Sequence, residues 1–155
     1  MFGSSGATPK TLAAEQAQDA VTLLVGKKTD AASRALATAV TGAVTKAVLA
    51  RKAGTAALFA QPARVQSGHP VAIGVSTDLA GGTARYTITY GSGASRVVRS
   101  AAGVLNAQGY NTVLVTVPAL KGAAKTTTAT VQVTVTPALK GGKPLAAKTT
   151  FVVVM

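Results

Sequence analysis

The sequence predicts an α+β chain: two N-terminal helices followed by an antiparallel β-sandwich. Three observations carry that expectation. Apolar residues recur at helical spacing as far as Gly54 and at a period of two afterwards. Gly- and Pro-rich segments cut the second part into short, evenly spaced pieces. Nearly half of the 155 residues are apolar, yet there are only three Phe, three Tyr and no Trp, so the core must be built from small and branched side chains. A large pocket lined with aromatic groups does not fit this composition.

Residues 1–9 read as a flexible arm, and 10–54 as a helical segment for attachment or oligomerisation. Thr8 and Pro9 offer a cap and a first-turn proline, after which Ala13, Ala17, Val21 and Leu24 share one face. Glu15, Gln18 and Thr22 take the other side, and Gly26 stops the helix. The second helix starts at Thr29 or Asp30 and is expected to run to about Lys52, with Gly54 as its stop. Its stripe is Leu36, Val40, Val44 and Val48, flanked by Ala39, Ala43 and Ala47. Such narrow stripes are too thin to form a core alone. Their small residues permit close helix–helix packing within the chain, the leading reading, or between copies, and Val40, Val44 and Val48 are the candidate residues for contact with other copies or a partner.

Beyond Gly54 the expected strands are 56–60, 63–66, 71–76, 84–90, 96–100, 112–117, 128–136 and 149–155. Tyr86, Ile88 and Tyr90 alternate with Arg85, Thr87 and Thr89, and Val131, Val133 and Val135 with Thr130, Gln132, Thr134 and Thr136. That is the pattern of an antiparallel sheet with one wet face. The pentapeptide Pro-Ala-Leu-Lys-Gly occurs at 118–122 and 137–141, each time after a Val/Thr run. Proline cannot join the ladder and Lys-Gly opens a turn, so both copies read as strand ends at opposite ends of one strand.

Seven or so strands in about 90 residues resemble an immunoglobulin-like β-sandwich over Pro62–Met155. The Cys–Trp–Cys signature is absent, so the similarity is to disulfide-free modules of bacterial surface and phage structural proteins; a small barrel is the other architecture that fits. With no cysteine there is no thiolate chemistry and no Cys-based zinc site. The N-terminus lacks the basic and apolar runs of a secretory signal. Ala35–Ala50, interrupted by Lys46 and Thr, does not read as a membrane span.

The chain carries sixteen Lys or Arg against four acidic residues, a net charge of +12. Glu15, Asp19, Asp30 and Asp78 are the only acidic side chains, so nothing after Asp78 balances the basic residues. Such a field favours an anionic partner, whether nucleic acid, an acidic protein surface or a charged envelope; solubility alone is the other reading. Arg85, Arg96 and Arg99 fall on expected strands and are the candidate contact residues, ahead of Lys121 and Lys140 in the loops. Catalytic patterns fail one by one. His69 stands alone between Gly68 and Pro70. Glu15 and Asp19 are one helical turn apart on a polar face, better placed for the helix dipole than for acid–base work. Gly26-Lys27-Lys28-Thr29 ends like a phosphate loop but lacks the upstream glycine and follows a helix. Gly91–Ser95 lacks the spacing of a nucleophile elbow. No catalytic residue, cofactor, metal or small-molecule substrate is expected. The few Tyr do not form a base-stacking platform, so sequence-specific nucleic-acid binding is not expected either.

The expected function is a non-enzymatic structural protein of a virion: a phage capsid decoration or accessory protein, assembled from the host cytoplasm onto other virion proteins. A cell-surface or extracellular fibre subunit and a basic nucleic-acid-associated protein are the alternatives.

Overall fold

The computed structural model describes residues 8–79, 81–91, 96–118 and 126–154. Both helices begin where the sequence predicts. Thr8 caps α1 (Pro9–Val25), its hydroxyl accepting from the Thr11 amide at 3.1 Å, and Gly26 ends the helix at φ 62°. Thr8 and Pro9 thus belong to the helix rather than to the arm. Asp30 caps α2 (Ala31–Leu49), accepting from the Ser33 amide at 3.3 Å and the Ser33 hydroxyl at 2.6 Å. α2 stops at Leu49, short of the expected Lys52. Gly54 serves a separate turn instead: it adopts φ 75° and its amide donates to the Asp78 carboxylate at 3.1 Å.

Eight strands follow: β1 (Ala57–Gln61), β2 (Arg64–Gln66), β3 (Pro70–Ser76), β4 (Thr83–Tyr90), β5 (Val97–Val104), β6 (Tyr110–Thr116), β7 (Thr126–Thr136) and β8 (Leu145–Val154). They form a three-stranded sheet, β1-β3-β6, facing a five-stranded sheet, β2-β8-β7-β4-β5. This is the strand distribution of an immunoglobulin-like sandwich, behind two helices, and the fold class is α+β. One pairing departs from the antiparallel expectation. β2 lies parallel to β8, because the chain crosses from one sheet to the other between Gln61 and Arg64 without reversing direction. The sheet also begins before the expected boundary at Pro62, since β1 pairs with β3 from Ala57↔Ser76 to Gln61↔Ala72. β5 and β8 are longer than their Val/Thr signals, reaching Val104 and starting at Leu145. Ala, Gly and Lys are weak strand formers, and pairing with β4 and β7 recruits them. The second Pro-Ala-Leu-Lys-Gly does terminate β7, with Gly141 at φ 88° in the turn. In the first, Pro118 follows β6, and residues 119–122 lie outside the described residues.

Two apolar clusters hold the chain together. Between the sheets, Val71, Ile73 and Val75 meet Tyr86, Ile88, Tyr90, Val131, Val133, Val135, Phe151 and Val153. The Tyr86 hydroxyl crosses the sandwich to the Asn111 Oδ1 at 2.8 Å, and the Tyr90 hydroxyl donates to the Pro118 carbonyl. The second cluster joins Ala13, Ala17 and Ala20 of α1 to Val40, Val44 and Val48 of α2, over Phe59 and Ala72 of the three-stranded sheet. Here the expectation for the valines is corrected. Val40, Val44 and Val48 are buried within the chain and offer no surface to a partner. The stripes are indeed thin, but Phe59 supplies the bulk they lack. Gln16, which the sequence pattern does not single out, is wholly buried beside them, and its Nε2 donates to the Val75 carbonyl at 3.2 Å and the Asn111 carbonyl at 3.5 Å.

Candidate functional site

With the helices covering the three-stranded sheet, the five-stranded sheet turns its other side outward. Tyr86, Ile88 and Tyr90 point into the core, so Arg85, Thr87 and Thr89 must point out. Cross-strand register extends this face in rows. Arg85 lies between Ala102 of β5 and Thr134 of β7. Thr87 lies between Ser100 and Gln132, and Gln132 is opposite Lys148 of β8. Thr89 continues through Thr130 to Thr150. Arg96, just before β5, borders a shallow hollow with Thr89, Thr128, Thr130 and Gln132. The result is a broad hydroxyl-rich surface bearing exposed Arg85, Arg96 and Lys148, on strands that contain no acidic residue.

Arg99 does not belong to it. Its cross-strand partner is Ile88, a core residue, so Arg99 and Arg85 project to opposite faces of the sheet. The phenol of Tyr90 agrees: burial pushes it up, and the nearby Arg99 cation pulls it back. The expected trio of strand arginines is therefore split, because three residues from 96 to 99 reverse the side of the pleat. Lys148 takes the vacant role, and its position two residues before Thr150, on the face opposite Phe151, could have disclosed it. Lys140 is exposed in the β7–β8 turn, and Lys121 lies outside the described residues.

The acidic residues sit elsewhere. Glu15 and Asp19 are on α1, facing Tyr110 of β6, whose phenol is pushed up by burial and then by the Asp19 carboxylate. Asp30 caps α2 and Asp78 holds the Gly54 turn. Among the described residues no three His, Cys, Asp or Glu side chains come together as metal ligands. No helix among them is long and apolar enough to cross a membrane.

No protein-family description matches the chain, and no curated protein sequence does either. Solved structures show distant likenesses. The sporulation control protein Spo0M from Bacillus subtilis aligns with 68% of this chain and 51% of its own, at 9% identity and a TM-score of 0.40. The alkylpurine DNA glycosylase AlkC from Pseudomonas fluorescens, bound to DNA containing an abasic-site analogue, aligns with 95% of this chain and 45% of its own, at 13% identity and a TM-score of 0.41. WR4, a C. elegans member of the MSP family, aligns with 63% of this chain and 95% of its own, at 12% identity and a TM-score of 0.33. The chain spans about half the length of the first two. At these scores none of the three bears on function.

Proposed function

We infer that this chain is a non-enzymatic structural protein of a virion, a capsid decoration or accessory protein that docks an acidic partner surface through the outer face of its five-stranded sheet. The observation that supports this reading is the face itself: Thr and Gln side chains surround exposed Arg85, Arg96 and Lys148, and no strand of that sheet carries a carboxylate. A flat array of short hydroxyls costs little side-chain entropy to dock, and uncompensated cations select for an anionic partner. The inner faces of both sheets are filled by the core, so recognition falls to this exterior.

The charge component is tested on a poly-glutamate column. Arg85→Gln, Arg96→Gln and Lys148→Gln together should lower the salt needed for elution, while each single change has a small effect, since an exposed pair contributes about 0.2–1 kcal/mol. Unchanged elution by the triple variant would remove this face from the reading. The virion component is tested separately, by quantitative mass spectrometry of purified particles from cells expressing the gene. Stoichiometric recovery with the coat protein is expected, and its absence from particles overturns the assignment.

A further inference from the structure

We propose that the seam between the helix pair and the sandwich is a binding site for a small amphipathic anion, a carboxylate or phosphate head on a short apolar tail. A cleft of about 320 Å³ opens there, where the α1–α2 turn and the first turn of α2 meet β2 and its flanking turns. Its floor draws on both apolar clusters: Leu24 and Leu36 belong to the helical one, and Val65 to the core of the sandwich. Its rim carries Lys28, Arg64 and His69, all exposed and contributed by three different segments, and no carboxylate lines it. The acidic residue nearest in sequence, Asp30, is engaged by the amide and hydroxyl of Ser33 in the helix cap.

Concave apolar floors with a few convergent polar groups at the junction of two packed units are the usual form of a small-molecule site. A plain inorganic anion would leave the half-buried Leu24 and Leu36 of the floor uncovered. An uncharged apolar molecule would leave Arg64 without a counter-charge and Lys28 with only the exposed Asp30 carboxylate beside it. Only a ligand with both parts satisfies floor and rim. Bound there, it bridges the helical cluster and the sandwich core.

The test is a methyl-detected NMR titration of the full chain with hexanoate and with hexyl phosphate, using hexylammonium and inorganic phosphate as controls. Both amphipathic anions should shift the methyl signals of Leu24, Leu36 and Val65, with Kd on the order of 1 mM. Lys28→Gln with Arg64→Gln should weaken them about tenfold, as expected for two exposed contacts. Both side chains are exposed, so the fold is retained, and a thermal melt of the variant verifies it. Tighter binding of hexyl phosphate assigns the head group as phosphate, and the reverse order assigns it as carboxylate. The proposal is overturned by any of three results: no shift of these methyls, hexylammonium binding as well as the anions, or titrations that the double variant leaves unchanged.

Discussion

Single residues decide how closely the layers of this molecule approach. Gly74 of β3 is directly opposite Phe59 of β1, and a Cβ at position 74 would run into the Phe59 ring. The glycine thus makes the bed in which the one large side chain of the helical cluster lies. Gly74→Ala should cost about 1–3 kcal/mol, the usual penalty for overpacking. In a Phe59→Ala background the obstructing ring is gone and only the Asn111 carbonyl, 3.0 Å from the added Cβ, remains. The second change should then add much less to the shift in urea midpoint; simple additivity of the two losses would contradict this account. Tyr86 offers a test by pH. Burial raises its phenol above the ordinary value of 10.0. Because the folded-state value is the raised one, its contribution is complete below about 10 and is lost as pH climbs towards the folded value, where the unfolded chain ionises first. Stability measured by chemical denaturation should fall above pH ~10, and Tyr86→Phe should flatten that fall even though it starts lower for want of the Asn111 bond. An identical alkaline slope in both proteins would show that Tyr86 contributes nothing to it.

Strands and helices were legible from the sequence wherever one period dominated. Thr130–Thr136 could be assigned face by face because valine alternates with polar residues throughout. The ends of β5 and β8 were not, since Ala101–Gly103 and Ala146–Lys148 are strands by pairing rather than by propensity. That the stripe of Val40, Val44 and Val48 could pack within the chain was legible, but its partner was not: Phe59 lies on a strand of the sheet beneath, and one sequence carries no sign of that contact. Arg99 is instructive at this scale. It stands on the core side of β5, an edge strand, and remains exposed there. An inward-pointing charge at an edge deters pairing with a second sheet. Arg99→Val would extend the apolar pair Val97 and Val98 by one more valine, and should convert the chain to concentration-dependent oligomers in sedimentation velocity. Sedimentation matching the unsubstituted chain across the same concentrations would deny Arg99 that role. The helix layer makes a further prediction. A fragment from Thr55 keeps β1 and the whole inter-sheet core, so it should melt cooperatively by far-UV circular dichroism, below the full chain; a fragment from Pro62 loses β1 and bares the edge of β3. A non-cooperative melt of the Thr55 fragment would mean that the helices and sandwich fold only together.

At the scale of the whole molecule, the distribution of charge matters more than its total. The excess of basic residues was evident from the sequence, but the face that presents them was not. That required the register placing Lys148 beside Gln132 and separating Arg85 from Arg99. Three of the four acidic side chains, Glu15, Asp19 and Asp30, lie on the helices or their cap, so the basic residues of the helix layer are partly compensated while the opposite face has none. Residues 8–54 keep seven basic residues against those three carboxylates, whereas the outer face gathers its cations with no carboxylate among them. On the proposed docking an anionic surface should orient the protein, not merely adsorb it. The sheet lies against the surface, and the helices point away. Lys148 of β8 and Lys10 and Lys46 of the helices are all exposed in the free chain, so they report on the two sides without mutation. With the protein bound to poly-glutamate at low ionic strength, acetylation of Lys148 should slow several-fold, while Lys10 and Lys46 react at their free rates. Raising the salt to about 0.5 M, where the screening length shrinks to a few ångström, should restore Lys148 to its free rate. Equal protection of all three lysines would mean that the chain binds through its net charge in any orientation, and the outer face of the five-stranded sheet would then have no claim to be the docking surface.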